Sequence, residues 1–251
     1  MAVSGLRRNL LIGAFAALTA SGAHAQNTVK ASYDIQLAGL SIGSAELGGT
    51  VGPASYALNL NGKYSVLIYS GTVNTSASGQ VANGKPVPSA YSHVVKTGKT
   101  FSTQIGFQGG NAREASVTPP LPPEQQEGRI PVTEAHRKGV VDPLSGLLLQ
   151  SLRATKSPAE TCSGTVPVYA GVSRLDLALS PASGGKPDEI LCKAKYKPVA
   201  GYRPANKGIQ RFAENEGIRI AFPANTDGGL SLPSRIVVPT SFGAFIAERK
   251  Q

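Results

Sequence analysis

Residues Val140 to Thr155, VVDPLSGLLLQSLRAT, decide how the rest of the chain is read. Asp142 offers a carboxylate to the unpaired N–H groups that open a helix, and Pro143 takes the first helical position, where a missing N–H is harmless. Leu144, Leu147, Leu148 and Leu152 then recur at helical spacing and form one apolar face. Leu149 widens that face, and Gln150, Ser151 and Arg153 are left for water. Almost everything on either side reads as strand or turn. A lone leucine-rich helix in a β protein must be buried against a sheet, so residues 142–154 are expected to pack as a plug or to line a ligand space.

The chain opens with an export signal. Arg7 and Arg8 give a positive start, Leu10 to Ala20 is a short apolar run, and Ala23-His24-Ala25 is a small-x-small cleavage site ahead of Gln26. The apolar run is too short to span a bilayer, and nothing later approaches the length of a membrane-crossing helix. Residues 1–25 are therefore read as a signal peptide and 26–251 as a single β-rich domain released into the periplasm. Composition supports β structure: 29 Gly, 18 Pro and only 16% charged residues. Without Arg7 and Arg8 the formal charge falls from +10 to +8. Such a charge either draws the protein to an anionic envelope component or simply keeps it soluble. Export separates it from nucleic acid.

Cys162 and Cys192 both lie in the exported part, and an even cysteine count in an oxidising space usually pairs. A metal or redox pair is the alternative, but the two are far apart in sequence and no histidine cluster accompanies them.

The first half alternates. Tyr33, Ile35 and Leu37 face one way, and the turn at Ala38-Gly39-Leu40 leads into Ile42, Ala45 and Leu47. Tyr56, Leu58 and Leu60 continue the pattern, and Asn61-Gly62 is the strongest hairpin signal in the sequence. Further turns are expected at Asn83-Gly84, Thr97-Gly98-Lys99 and Gly109-Gly110-Asn111. Residues 118–139, with five prolines, read as an extended linker that delivers the chain to the helix. Beyond the helix, strands are expected over 166–170, 174–180, 189–196 and 217–222, with a closing hairpin over 233–247.

Residues with chemical promise fall to simpler readings. Gly39-Leu40-Ser41-Ile42-Gly43 matches a nucleophile elbow in letters but sits in a hairpin, without the strand–turn–helix context that exposes the serine. His136, Asp142 and Ser145 lie close in sequence, but Asp142 already caps the helix, and a triad is recognised by geometry. Thr97-Gly98-Lys99-Thr100 lacks the upstream glycine of a phosphate loop, with His93 in its place. His93 and His136 stand in separate segments and give no metal-ligand spacing. No cofactor or catalytic residue is expected. One basic run does stand out. Lys193, Lys195 and Lys197 share a strand face, Arg203 follows, and no acidic residue interrupts 193–211. This face is either solvated surface or a peripheral contact with anionic headgroups.

Taken together, Tyr33-Asp34, the Ala38–Gly43 stretch, Gly139-Val140-Val141-Asp142-Pro143-Leu144-Ser145, Cys192, Tyr196-Lys197-Pro198-Val199-Ala200-Gly201-Tyr202 and Pro233-Ser234-Arg235-Ile236 resemble an uncharacterised exported family of alphaproteobacterial envelope proteins. More distantly the pattern is similar to periplasmic envelope-integrity proteins with a spiral-like antiparallel sheet and a disulfide. It is also similar to lipoprotein-localisation carriers, whose open sheet wraps a helix. The resemblance implies no catalytic residue, and architecture alone does not establish function.

The expected fold is all-β with one or two helices: one large curved antiparallel sheet, a half-barrel or β-spiral, with the 142–154 helix in its concave side. Three functions stay open. The chain is a non-enzymatic envelope protein that binds a lipid, lipoprotein or lipid-linked glycan; a scaffold for envelope integrity contacting proteins or peptidoglycan; or an enzyme with an unrecognised site.

Overall fold

The structure is a computed structural model that describes residues 27–154, 157–224 and 230–250; the export signal expected over 1–25 lies outside the described residues. Seven strands follow one another as a meander: β1 (Asn27–Leu37), β2 (Leu40–Val51), β3 (Ser55–Val66), β4 (Tyr69–Ala82), β5 (Lys85–Thr97), β6 (Lys99–Gln108) and β7 (Asn111–Thr118). After a long connection come β8 (Thr165–Tyr169), β9 (Arg174–Pro181), β10 (Glu189–Ala200), β11 (Arg219–Pro223), β12 (Arg235–Thr240) and β13 (Gly243–Arg249). The last strand returns to β1, with Tyr33 opposite Arg249 and Leu37 opposite Phe245. The described strands thus form one 13-stranded sheet in the order β7-β6-β5-β4-β3-β2-β1-β13-β12-β11-β10-β9-β8, each neighbour antiparallel to the next.

Side-chain alternation explains why this sheet curls. Val29, Ala31 and Tyr33 of β1, Leu47 and Val51 of β2, and Tyr56 and Leu58 of β3 all turn inward. Ala77, Tyr91, Ile105 and Phe107 of β4 to β6 continue the same inner face. Burying one face of so long a sheet against itself draws its two edges together. The edges, β7 and β8, come close without pairing. A Cβ placed on Gly171, just beyond β8, would lie 2.5 Å from the Thr103 side chain and 3.8 Å from that of Val117. The result is a nearly closed antiparallel barrel with one unsealed seam, more closed than the expected half-barrel or spiral.

Four α-helices occur among the described residues: α1 (Pro123–Gln126), α2 (Pro143–Arg153), α3 (Pro158–Thr161) and α4 (Lys207–Glu214). The expectation of one or two held only for the long central one. Helix α2 lies inside the barrel. Asp142 caps it as read, accepting from the Leu144 and Ser145 N–H groups, with Pro143 in the first turn. The stretch expected to be a Pro-rich linker, 118–139, carries α1 and a 3-10 turn at Ala135–Arg137, and Ile130 exchanges backbone bonds with Gly201 and Tyr202.

Two local expectations are corrected. Asn61-Gly62 is not a hairpin: β3 runs straight through it, with Gly62 paired to Ala45 on one side and Val73 on the other. The turn falls instead at Leu67-Ile68, where Leu67 takes a positive φ of 54°. A local turn preference is outweighed when ladders on both sides, each with an alternating inner face, continue past it. Likewise Gln150 and Ser151 are buried rather than wet, because the barrel surrounds the helix. The Gln150 amide finds Thr161 O at 3.1 Å and Arg153 Nη1 at 3.3 Å.

Cys162, just past α3, is bonded to Cys192 of β10 across 30 residues, with Cα atoms 5.1 Å apart and both residues fully buried. The bridge packs with Ala154, Ile190 and Phe222 and so fastens the chain leaving α2 to the barrel wall. Replacing both cysteines by serine is expected to lower the unfolding free energy by about 3–4 kcal/mol, as the chain-entropy model gives for a loop of this length. Urea titration of the double variant against oxidised wild type checks this, and a mobility shift on a non-reducing gel confirms the bridge.

Candidate functional site

The helix does not fill the barrel. Leu144 and Leu148 pack into the larger core formed by β1 to β6, with Leu147 and Leu152 half-buried at its margin. Leu149 joins Val141, Val166, Val168 and Leu179 in a second cluster on the β8–β9 side. Because α2 leans on β4, β5 and β8, a cavity of about 450 Å³ remains between it and β9 to β12. Gly146, Leu147 and Gln150 form its floor. Leu175, Leu177 and Leu179 of β9 and Ala194 and Tyr196 of β10 make one wall. Ile218, Ile220, Phe222, Ile236 and Val238 make the other. A site of this volume with so apolar a lining suits a small hydrophobic ligand or part of a larger one.

Helix α4 covers one end of this space. Asn206 caps it by accepting from the Ile209 N–H at 3.1 Å, and Asn215 ends it, so an eight-residue helix stands between two polar stops. None of its residues is buried. Phe212 reaches inward to Tyr196, with ring centroids 6.0 Å apart. The same Phe212, with Val238, also lines an outer groove of about 940 Å³ between α4 and the β12–β13 hairpin. Phe212 therefore stands between the inner cavity and the outer groove. At the other end Ser231 N–H bonds to Ser151 O, and Tyr33 Oη donates to Pro233 O at 3.0 Å, closing the barrel with residues 230–234.

A buried polar chain holds the floor in place. Tyr56 Oη lies 2.6 Å from Ser145 Oγ, which donates to Asp142 Oδ2 at 2.5 Å. Asp142 is fully buried, and desolvation raises its carboxyl pKa against the hydrogen bonds from Ser145 and Leu144 that oppose it. Burial also raises the phenol of Tyr56. Tyr91 is raised likewise by burial, and further by the nearby Asp142 charge. His93, half-buried, stacks on Tyr91 and meets Thr75 Oγ1 at 2.9 Å. His136 is half-buried and bonded to Thr133.

The basic run is placed differently from the leucines. Lys193 and Lys195 do share an outward face, but both bind Glu216, whose carboxyl falls to about 2 under their hydrogen bonds. Arg203 donates through Nε to Glu127 O at 2.8 Å, and Lys197 is exposed. The sequence reading missed Phe212 and the β9–β12 lining. The alternation of Leu175, Leu177 and Leu179 was visible, but nothing in it distinguishes a cavity wall from packed core.

No protein-family model and no curated protein matches the chain. Among solved structures it is similar to the crystal structure of a β-barrel-like protein of a domain of unknown function, DUF1849, from Brucella abortus. The TM-score is 0.50 at 11% sequence identity, covering 88% of this chain and 95% of that one. The likeness is one of fold alone, that of a β-barrel-like protein.

Asp142 gives a pH test. Its folded pKa lies above the unfolded value, so its contribution is most favourable below the unfolded pKa and is lost as pH rises through the folded one. Wild type should therefore gain stability relative to Asp142→Asn as pH is lowered from neutrality into the ordinary carboxylate range. Asp142→Ala, which also loses the cap, should cost about 1–2 kcal/mol or more at neutral pH. Urea titrations of the three proteins across that pH range check both statements.

Proposed function

We propose that this protein is an exported, non-enzymatic envelope protein that holds an apolar group, the acyl portion of a lipid, lipoprotein or lipid-linked glycan, in the cavity between α2 and β9–β12. The observation that carries this reading is the cavity itself: about 450 Å³ of space, lined by leucine, isoleucine, valine and aromatic side chains, inside a barrel whose helix had every opportunity to fill it. Well-packed cores leave few such voids, since an unfilled apolar space forfeits dispersion contacts and burial. Each methylene placed there removes hydrocarbon from water at roughly 0.8 kcal/mol. Phe212 supplies a removable cover, because α4 is held by its caps and a tilted ring contact rather than by buried residues of its own. The apparent export signal in the sequence and the oxidised cysteine pair fit a periplasmic location.

The test is a titration of the purified protein with a fluorescent acyl probe, together with mass spectrometry of organic extracts from protein isolated from its own envelope. Wild type is expected to bind saturably. Ala194→Phe, which puts a ring into the cavity, should weaken binding by about tenfold or more, the factor that 1.4 kcal/mol gives. Phe212→Ala should speed probe exchange. Protein that stays empty in both assays, or binds equally well with Phe at position 194, would sink the carrier reading and leave a scaffold as the better account.

A further inference from the structure

The two ends of the barrel are chemically unlike. The β1–β2, β3–β4, β5–β6 and β12–β13 turns and the α4 connection all emerge at one end, because neighbouring strands are antiparallel. All seven exposed large hydrophobic side chains among the described residues sit there: Leu40, Leu67, Ile68, Tyr69, Phe101, Phe212 and Phe242. Leu67 is 95% exposed, Ile68 88% and Phe242 80%. At the opposite end the Gly52-Pro53-Ala54, Asn83-Gly84 and Gly109-Gly110 turns carry no large apolar side chain, and Leu230 and Leu232 of the β11–β12 connection are half-buried and buried.

Three tips are contiguous. Gly43 pairs with Tyr64, which sets Leu40 level with Leu67 across the β2–β3 ladder. Ala38 N–H bonds to Ala244 O, which sets the β1–β2 tip beside Phe242. Folding alone does not ask for these residues. Leu67 holds φ at 54°, a conformation that glycine or asparagine adopts more readily, yet a leucine stands there with its side chain in solvent.

Charge completes the pattern. Lys63 and Lys96 share one rung of the ladder through Thr72, a few residues below the tips, and Lys99 lies at the β5–β6 turn. All three are exposed, as are Lys207 and Arg211 on α4. No aspartate or glutamate occurs between Glu46 and Glu114, nor in the β12–β13 turn. Glu214 accompanies the two cations of α4, but no carboxylate of residues 47–113 opposes Lys63, Lys96 and Lys99. Apolar tips above such cations match a bilayer that carries anionic headgroups over hydrocarbon.

We infer that this end of the barrel docks on an anionic phospholipid surface, with Leu67, Ile68, Phe242 and Leu40 inserted and Lys63, Lys96 and Lys99 against the headgroups. The docking goes beyond the ligand-holding role and stands without it. Its consequence is directional: Phe212, the cover of the cavity, belongs to the same end and faces the membrane.

Co-sedimentation with vesicles of phosphatidylethanolamine and phosphatidylglycerol tests the inference. Wild type is expected to sediment with them, less at salt well above physiological strength and less with pure phosphatidylcholine. Leu67→Gly combined with Ile68→Ser should cut binding by at least about tenfold, given the burial energy of two aliphatic side chains. The same variant should unfold at an equal or higher temperature, because glycine accepts the positive φ. Ala194→Phe should leave vesicle binding unchanged, which separates this result from failure of the carrier reading. No sedimentation, undiminished sedimentation of the tip variant, or a wild-type dimer that the tip variant disperses without vesicle binding would each overturn the inference.

Discussion

An antiparallel sheet can close on itself only if its strands are even in number. With 13, the two edges that meet run in the same direction, and β7 and β8 face that problem here. Parallel neighbours cannot be joined by a tight turn; they need a crossover of a dozen residues or more, usually with a helix. The chain supplies one between β7 and β8, and the helix within it lies inside the barrel rather than outside. Part of this crossover also serves the open edges. Gly139 donates to Asn111 Oδ1 and Val140 to Gly110 O on the β6–β7 side. Val141 exchanges bonds with Pro167 and Tyr169 and makes a parallel bridge to Val168 on the other. The next residue is Asp142, the helix cap. Seam, cap and plug are therefore consecutive residues, and edge groups that would invite pairing with another chain are partly occupied.

This arrangement also explains why the helix is offset. Val141 ties its start to β8, while Ser145 and Tyr56 tie its first turn to β3. With its N-terminal end pinned at the seam and its departing chain held through Cys162 to β10, α2 has no freedom to move to the barrel axis. Leucines on both of its flanks are satisfied near the seam, and the wall opposite is left facing space. A hollow on the β9–β12 side follows from how the seam is closed.

Much of the frame was legible in the sequence because it rests on local chemistry. Asp142-Pro143 marked the helix start, alternation marked the strands, and Ala38-Gly39, Asn83-Gly84 and Gly109-Gly110 marked turns, all three with positive φ at both residues. What was illegible depends on neighbours far along the chain. Asn61-Gly62 has the letters of a turn, yet it lies between two ladders whose length no local window contains. Gln150 and Ser151 look like a wet face until the barrel encloses them. Helix α4 has only Ile209 and Phe212 as apolar periodicity and a glycine in its first turn, so its pattern is too short to read. The capping box of Ser157 and Glu160, by contrast, was present in the letters and marks α3. The cavity could not be read at all, because a void is a property of how two surfaces fail to meet.

The basic run shows the same limit in electrostatic form. Along the chain, Lys193 to Arg211 is free of acidic residues, but Glu216 folds back onto Lys193 and Lys195, and the Glu127 carbonyl takes Arg203. Uninterrupted charge in sequence is thus not uninterrupted charge in space. The stretch from Leu47 to Arg113 is different in kind: it is free of acidic residues and forms adjacent strands, so no carboxylate of its own lies along its ladders. Cations there stay unopposed by that stretch where the sheet presents them, beside Leu67, whose positive φ a glycine would take more readily. Charge that survives folding, next to apolar surface that folding did not bury, is the combination that has to be explained by something outside the chain.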